Sequence, residues 1–402
     1  MQKFEKHSPV VVTEVTTKHE LRQFMQYPNR LYADNPNYIP SFYGDDLSDW
    51  TPGKNPAFDY CEARCWLARR DREIVGRIGA ILSHKANDKF GTHRMRFSQV
   101  DFVDDSEVSA ALFGTVERWA REKGCDQVHG PLGFTDMDRE GMLVEGFDRR
   151  SLFFTNYNAP YYLEHLTRLG YRKDVDWIEY RITVPEPGGA EAERLHKLSE
   201  FILKRKHLHV AKSEYGPFVR QVFELVNAAY APLYGVVELS DEQIERYANK
   251  FIPLVDPDFV CFVVDEQDQL VAFGVTALDH SVALKHSDGR LFPLGWAGVL
   301  NDLHHSDTLI MLLTAVRPDL QAEGINAVMM DHVCHSCNRH GVRFAETGPM
   351  LELNDHILAQ WKRLEKEQHK RRRCFIKDLD HDVNAANAAA AQTETPETES
   401  AE

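Results

Sequence analysis

Cysteine is scarce in this 402-residue chain: seven residues, an odd number at low density. That excludes a disulfide framework as the source of stability and points to a reducing, cytoplasmic compartment. Long apolar runs are missing as well. No stretch reaches the roughly 18 uninterrupted apolar residues of a membrane helix, and Met1 to His7 is polar with no apolar core after it, so neither membrane spanning nor secretion is expected. Net positive charge is also absent. Of the formal −15, seven acids (Asp378, Asp380, Asp382, Glu394, Glu397, Glu399, Glu402) fall in a terminal stretch without Lys or Arg, which leaves −8 for the body. That sign disfavours a nucleic-acid partner. What the chain has is 43% hydrophobic and 10% aromatic residues, enough for a folded core at a length that suits two domains.

Two breaks organise the sequence. Val383 to Glu402, rich in Ala, Asn, Thr and Glu, has too little apolar material to offset the entropy of ordering it, and a disordered acidic tail is expected over 379–402. Pro185-Glu-Pro-Gly-Gly-Ala-Glu-Ala-Glu193 interrupts the pattern after an alternating strand-like run, Trp177 to Val184, and marks a linker over 185–193 between domains at 10–184 and 194–378.

The two sides look like copies. Cys65 to Gly76 aligns without a gap on Cys261 to Ala272, each reading as strand, polar turn, strand. Glu107 to Lys123, then Gly124 and Cys125 to Pro131, resembles Gly324 to His340, then Gly341 and Val342 to Pro349. The second copy carries a longer segment after its hairpin, Asp279 to Asp307. Its apolar Leu291 to Leu300 stretch either walls a pocket or packs the halves together. For the second half the order is helices Phe218 to Tyr230 and Asp241 to Leu254, strands Phe259 to Asp265, Leu270 to Leu278 and Thr308 to Val316, helix Gly324 to His340, strand Val342 to Glu346, helix Asn354 to Lys366 and strand Arg373 to Asp378. A mixed α/β sheet with helices on its faces is the packing that order favours.

The most specific local signal is Leu312 to Asn326, a buried strand running through Val316 and Pro318 into Gln321-Ala322-Glu323-Gly324-Ile325-Asn326 and then a helix. A strand feeding a glycine-containing turn leaves backbone N–H groups free at a helix N-terminus, where the macrodipole also favours an anion. Val316, Pro318, Gln321 and Gly324 match the Val-x-Pro-x-x-Arg/Gln-x-x-Gly-x-Gly/Ala motif. On these residues, and on Tyr27 to Tyr32, Gly53 to Pro56, Val75 to Ile78, Tyr157 to Tyr162 and Glu346, residues 10 to 378 resemble a bacterial family of tandem proteins of the GNAT acyltransferase superfamily.

That resemblance implies two tandem GNAT-like domains and direct acyl transfer from acetyl-CoA or a long-chain acyl-CoA to an amine, a small molecule or a lipid such as a sphingoid base, without a metal. It would place Thr314 and Val316 on the pantetheine arm and Gln321 to Asn326 on the pyrophosphate. Asn354 would open the helix that usually carries a catalytic Tyr, although position 361 is Trp361. Glu346 is the candidate general base and Tyr157 a candidate proton donor, with Tyr230 and Tyr234 as substitutes. Asn326 replaces the usual Gly or Ala, and Glu323 would repel a phosphate unless it points away. The matching turn of the first half, Val103 to Val108, has three acids and no Gly, so no CoA is expected there.

Other constellations are read as structural. Cys334-His-Ser-Cys337, with His332 and His335 nearby, has residue types that ligate zinc, but it lacks a second Cys pair at zinc spacing and lies on a helix whose inner face needs small apolar residues, so no metal is assigned. His369-Lys-Arg-Arg-Arg373 reads as a solvated helix end; if functional, it would attract CoA phosphates or an anionic lipid surface. Two competing functions stand beside acyl transfer to a free amine. One is an aminoacyl-tRNA-dependent transferase, disfavoured by charge; the other is a non-catalytic ligand-binding or scaffold protein, which Glu323, Asn326 and Trp361 favour.

Overall fold

Helix starts in this chain are written in its capping residues. Thr17 opens one helix with a full capping box to Glu20, Ser240 opens another with Gln243, and Asp105 caps a third through Glu107 N–H. The computed structural model describes residues 8–211, 216–291 and 295–379. The first half comprises β1 (Val11–Glu14), α1 (Lys18–Leu31), α2 (Tyr43–Asp49), β2 (Cys61–Arg70), β3 (Glu73–Ser83), α3 (His84–Phe90), β4 (Arg94–Phe102), α4 (Ser106–Glu122), β5 (Gln127–Gly130), β6 (Met142–Glu145), α5 (Tyr161–Arg168) and β7 (Arg172–Thr183). After the linker come α6 (Ala190–Lys206), β8 (His209–Val210), α7 (Val219–Tyr230), α8 (Asp241–Phe251), β9 (Val260–Val264) and β10 (Leu270–Leu278). Then follow α9 (Ser281–His286), α10 (Gly295–His305), β11 (Thr308–Val316), α11 (Asn326–His340), β12 (Phe344–Glu346), β13 (Met350–Leu351), α12 (Asp355–Ala359) and β14 (Lys366–Asp378).

The repeat seen in sequence is a repeat in topology. Hairpin β2–β3 matches β9–β10, β4 matches β11, α4 matches α11, and β5 matches β12. All described strands join one mixed sheet, in the order β1-β2-β3-β4-β5-β14-β7-β12-β11-β10-β9-β8, with β6 beside β14 and β13 beside β7. The middle of that order carries an exchange. β14, made last, lies between β5 and β7 of the first half, while β7 reaches across to pair with β12 of the second. Separate apolar cores lie under α4 and α5 in the first half and under α6 and α11 in the second. No helix among the described residues is long and apolar enough to cross a membrane.

Two expectations for the end of the chain fail together. The helix expected over Asn354 to Lys366 shrinks to Asp355–Ala359, and the last strand begins at Lys366 instead of Arg373. The run His369 to Arg373 is therefore no solvated helix end but the middle of β14, with Lys370 and Arg372 almost wholly buried. Acids on the neighbouring strands make this tolerable. Lys370 Nζ lies 3.4 Å from Glu179 and 3.2 Å from Glu346, Arg372 Nε donates to Glu179, and Arg371 and Arg373 both reach Asp176. Buried charges persist only when paired in this way.

The segment after β10 packs the halves together, as far as it is described; residues 292–294 lie outside the described residues. Leu284 joins Ile39, Phe42, Leu152 and Phe153 in one apolar cluster, and Lys285 Nζ donates to the Asn35 carbonyl at 2.7 Å. Tyr43 N–H donates to the Gly289 carbonyl, and Gly289, at φ +74, approaches so closely that a Cβ would sit 1.9 Å from the Ser41 oxygen. The expected tail lies, apart from Leu379, outside the described residues. Leu379 is buried and its N–H donates to the Asp126 carbonyl.

Candidate active site

β11 pairs in parallel with β12 over three rungs, Thr308 with Phe344 to Ile310 with Glu346, and then the two strands part. β11 continues along β10 to Val316, with a bulge that leaves Leu312 out of register. The chain beyond β12 turns to β7 instead, where Thr347 N–H donates to the Tyr180 carbonyl and Met350 pairs with Ile178. The result is a V between β11 and β12. Arg317 N–H donates back to Val271 on β10, so by the period of two Ala315 also faces β10, and Thr314 and Val316 turn their backbone groups to the open side. Their carbonyls accept from Tyr230 Oη at 2.8 Å and from the Gln321 amide at 3.2 Å.

At the top of the V the loop adopts left-handed conformations at Ala322 (φ +65) and Gly324 (φ +83). Alternation of this kind turns successive amides to one side and makes an anion-binding concavity. Among the described residues no acceptor takes the N–H of Ala322, Gly324, Ile325 or Asn326. Ile325, at the cap position of α11, offers no side-chain cap, so the helix start stays open. Glu323 does point away: its carboxylate pairs with Lys206 at 2.7 Å, and that hydrogen bond holds it below the usual carboxylate range.

These groups line one cleft of about 1290 Å³. Thr314, Val316, Gln321, Ala322, Gly324, Ile325, Asn326 and Asn354 all line it; Glu323 does not. Asn354 is mainly a cap, its side-chain oxygen accepting from Ile357 N–H at 3.3 Å. Trp361 is buried in the second core and donates its indole N–H to Met350 Sδ. An apolar recess of about 90 Å³ shares Thr314, Asn326 and Met330 with the cleft and runs back under α11 between Met311, Leu313 and Met329. Cys334 and Cys337 also line that recess, in the second core, with their thiols pushed up by burial to about 11 and 12.

The two residues expected to carry catalysis lie elsewhere. Glu346, at the foot of the V, is held by Lys370 and is not among the cleft residues. Tyr157 sits in an aromatic cluster of the first half against Tyr32 and Tyr38, its hydroxyl accepting from Asn35 at 2.7 Å. Of the three tyrosines considered, the fold brings Tyr230 and Tyr234 to the cleft.

Facing the second half across the cleft are acids that the sequence reading missed: Asp136 and Glu140, in the connection after β5, and Asp174 on β7. Burial pushes the Asp136 carboxyl up to about 6. Burial, and then the neighbouring Asp136, push Glu140 well above the usual range, and among the described residues its carboxylate makes no hydrogen bond or ion pair. Asp174 accepts from Tyr234 Oη, which also meets His129 Nδ1 at 3.0 Å and Cys374 Sγ at 3.5 Å. Burial lowers His129 to about 4 and leaves it neutral near pH 7. The available signal was the spacing Asp136-Met-Asp138-Arg-Glu140 between Gly133 and Gly141, three acids in a short connection of the half that has lost its loop.

A hairpin, a strand pair that parts after three rungs and a helix opening above the gap, repeated along one sheet, make up a tandem GNAT fold. No protein-family model matches the chain. It is 26% identical over 376 residues to protein YghO of Escherichia coli (strain K12), across 92% of this chain and 95% of that protein. It is 28% identical over 295 residues to the bacterial ceramide synthase of Caulobacter vibrioides (strain NA1000 / CB15N), across 72% of this chain and 75% of that one. In fold it superposes on a tandem GNAT protein from the clavulanic acid biosynthesis pathway with a TM-score of 0.53 at 13% identity, covering 92% of this chain and 99% of that one.

Proposed function

We propose that the chain is an acyl-CoA-dependent N-acyltransferase whose thioester site lies in the second half and whose acceptor site is walled by the first, with the halves divided at 185–193. The observation that carries this is the coincidence, in one cleft, of a strand edge left open by the β11–β12 V and four amides without acceptors at the start of α11. The Ala322, Gly324, Ile325 and Asn326 amides would hold the pyrophosphate, and the Thr314–Val316 edge the pantetheine arm. CoA supplies the activated acyl group as a thioester. Asp136, charged above about pH 6, takes the proton from the amine, beside Glu140. The amine nitrogen attacks the thioester carbonyl, the C–S bond breaks, and the thiolate is protonated by a hydroxyl in the cleft. Tyr230, hydrogen-bonded to the Thr314 carbonyl, is the donor next to the arm edge.

Acids on the acceptor wall favour a cationic amine, and the apolar recess favours an acyl group longer than acetyl. The name of the Caulobacter relative agrees with both, since a ceramide is a long-chain amine carrying an amide-linked acyl chain. A non-catalytic ligand-binding reading is favoured by Trp361, which puts a buried indole where the resemblance expects a hydroxyl.

Calorimetric titration with acetyl-CoA, a long-chain acyl-CoA and a desulfo-CoA control, alongside an assay of thiol release with long-chain amines, separates the two. Micromolar binding with release is expected. Gly324→Trp, which fills the loop, should abolish binding in a protein that remains folded; binding retained in that variant would sink the assignment. Binding without release on any amine would leave the ligand-binding reading.

A further inference from the structure

α6 and α11 pack side by side, and three side chains of ligand type meet where they touch. Asp331 and His335 stand four residues apart on one face of α11, and His196 comes from α6. His196 Nδ1 lies 3.1 Å from Asp331 Oδ2, and His335 Nδ1 lies 3.2 Å from Asp331 Oδ1 and 2.9 Å from the Asp331 carbonyl oxygen, a hydrogen bond that a bound ion would displace. The imidazole rings are 5.3 Å apart, and one ligand atom from each of the three residues falls within 4.8 Å of the others. Asp331 is 8% exposed and fixed by the packing around it, whereas both histidines reach solvent. Glu200, one turn beyond His196, brings Oε1 within 3.6 Å of His196 Nε2.

Two ligands on a four-coordinate ion at 2.0–2.1 Å stand about 3.3 Å apart, and both imidazole–carboxylate separations fall close to that spacing. Imidazole with carboxylate suits zinc, cobalt, nickel or copper, not the oxygen-seeking magnesium or calcium. We propose that His196, Asp331 and His335 bind a divalent transition-metal ion, with water in the fourth position and Glu200 as the outer partner of His196 Nε2–H, and that the ion ties α6 to α11. It is a brace, not a reaction centre. Both helices wall the cleft through other residues, Arg194, Leu195 and Leu198 from α6 and Asn326, Ala327 and Met330 from α11. Holding them together fixes the opening of the amide-lined loop. The cysteines of α11 take no part, since they lie on its buried face.

The test uses the full chain without an affinity tag, stripped with chelator and titrated with zinc by calorimetry and with cobalt by visible absorption. Expected are one ion per chain at micromolar affinity or tighter, cobalt bands of a four- or five-coordinate site, and a higher Tm with zinc. His335→Ala, a change at an exposed side chain that leaves the fold intact, should weaken zinc at least about tenfold, since even outer-sphere changes cost 10–100-fold. Cys337→Ala should bind as the wild type does. Zinc binding absent at 100 μM, unchanged in His335→Ala or lost in Cys337→Ala would overturn the proposal and leave the three residues as a hydrogen-bonded ion pair.

Discussion

The two halves share a frame and differ in what occupies its gap. In the first half, β4 and β5 part after Arg96 and His129, as β11 and β12 do after Ile310 and Glu346. There the gap is filled from α5. Tyr162, fully buried, stacks on Phe102 at 4.1 Å, accepts from Phe102 N–H at 2.8 Å and bonds Tyr32 Oη at 2.7 Å. The start of α4 holds a resident anion, the Asp105 carboxylate, which accepts from Glu107 N–H and is gripped by Arg70. Among the described residues the start of α11 has none. Cavities of about 60 and 30 Å³ remain beside β4 in the first half, against about 1290 Å³ in the second. One fold thus serves as a wall in one copy and as a vessel in the other, and the difference resides in a few side chains, not in the strand order.

The comparison breaks most sharply at the wall's contribution to chemistry. Asp136→Asn with Glu140→Gln should lower kcat by roughly 10²–10⁴ while thioester binding stays within a few-fold, measured by thiol release and titration. An unchanged kcat would confine catalysis to the second half. In the wild type the rate should climb as pH rises through about 6, where Asp136 loses its proton. The sign for stability is opposite. A carboxyl raised in the folded state favours folding below its ordinary value near 4 and loses that advantage as pH rises past 6, so Asp136→Asn should raise Tm at pH 7–8 by an amount worth about 1 kcal/mol, discounted for partial exposure.

Next in size is Lys370→Met, which leaves Glu346 beside an apolar chain and Glu179 with Arg372 as its remaining cation. A loss of about 3–5 kcal/mol is expected. Because β14 belongs to the first half's sheet while carrying second-half contacts, both halves should unfold in one transition by denaturant titration; two separate midpoints would show that the exchange does not couple them. Tyr162→Ala should cost about 3 kcal/mol and empty the first-half gap without creating a second thioester site, since Asp105 still closes α4. Two ligands per chain in calorimetry would show that the plug alone separates the copies. Smallest is Ala322→Gly, which relieves a left-handed alanine: stability should rise by up to about 1 kcal/mol, with binding unchanged or slightly weaker through added loop freedom.

Local pattern disclosed much of this. The gapless hairpin match of Cys65 to Gly76 with Cys261 to Ala272, the strand bounds Thr308–Val316 and the turn at Gln321 to Gly324 all came from periodicity and glycine placement. What stayed hidden depends on partners remote in sequence. His369 to Arg373 looks solvated until Glu179 and Asp176 are known to lie beside it, and Glu346 looks like a free base until Lys370 is found to hold it. Tyr157 resembles a donor by its residue type, and only the packing of Tyr32 and Tyr38 around it removes it from the cleft. Asp136 and Glu140 carry no local signature of a site, because they belong to the half whose own loop is degenerate and reach the cleft only through the fold.

The exchanged strands also bear on how the protein is made. A ribosome delivers β5 and β7 long before β14, so the first half must wait with the edges of both strands unsatisfied at the centre of its sheet. Synthesis interrupted before Lys366 would release no free-standing half but a split sheet with two adhesive edges. Quality control thereby falls to thirteen residues, Lys366–Asp378, whose charged side chains find their counter-ions only in a chain translated through to that point.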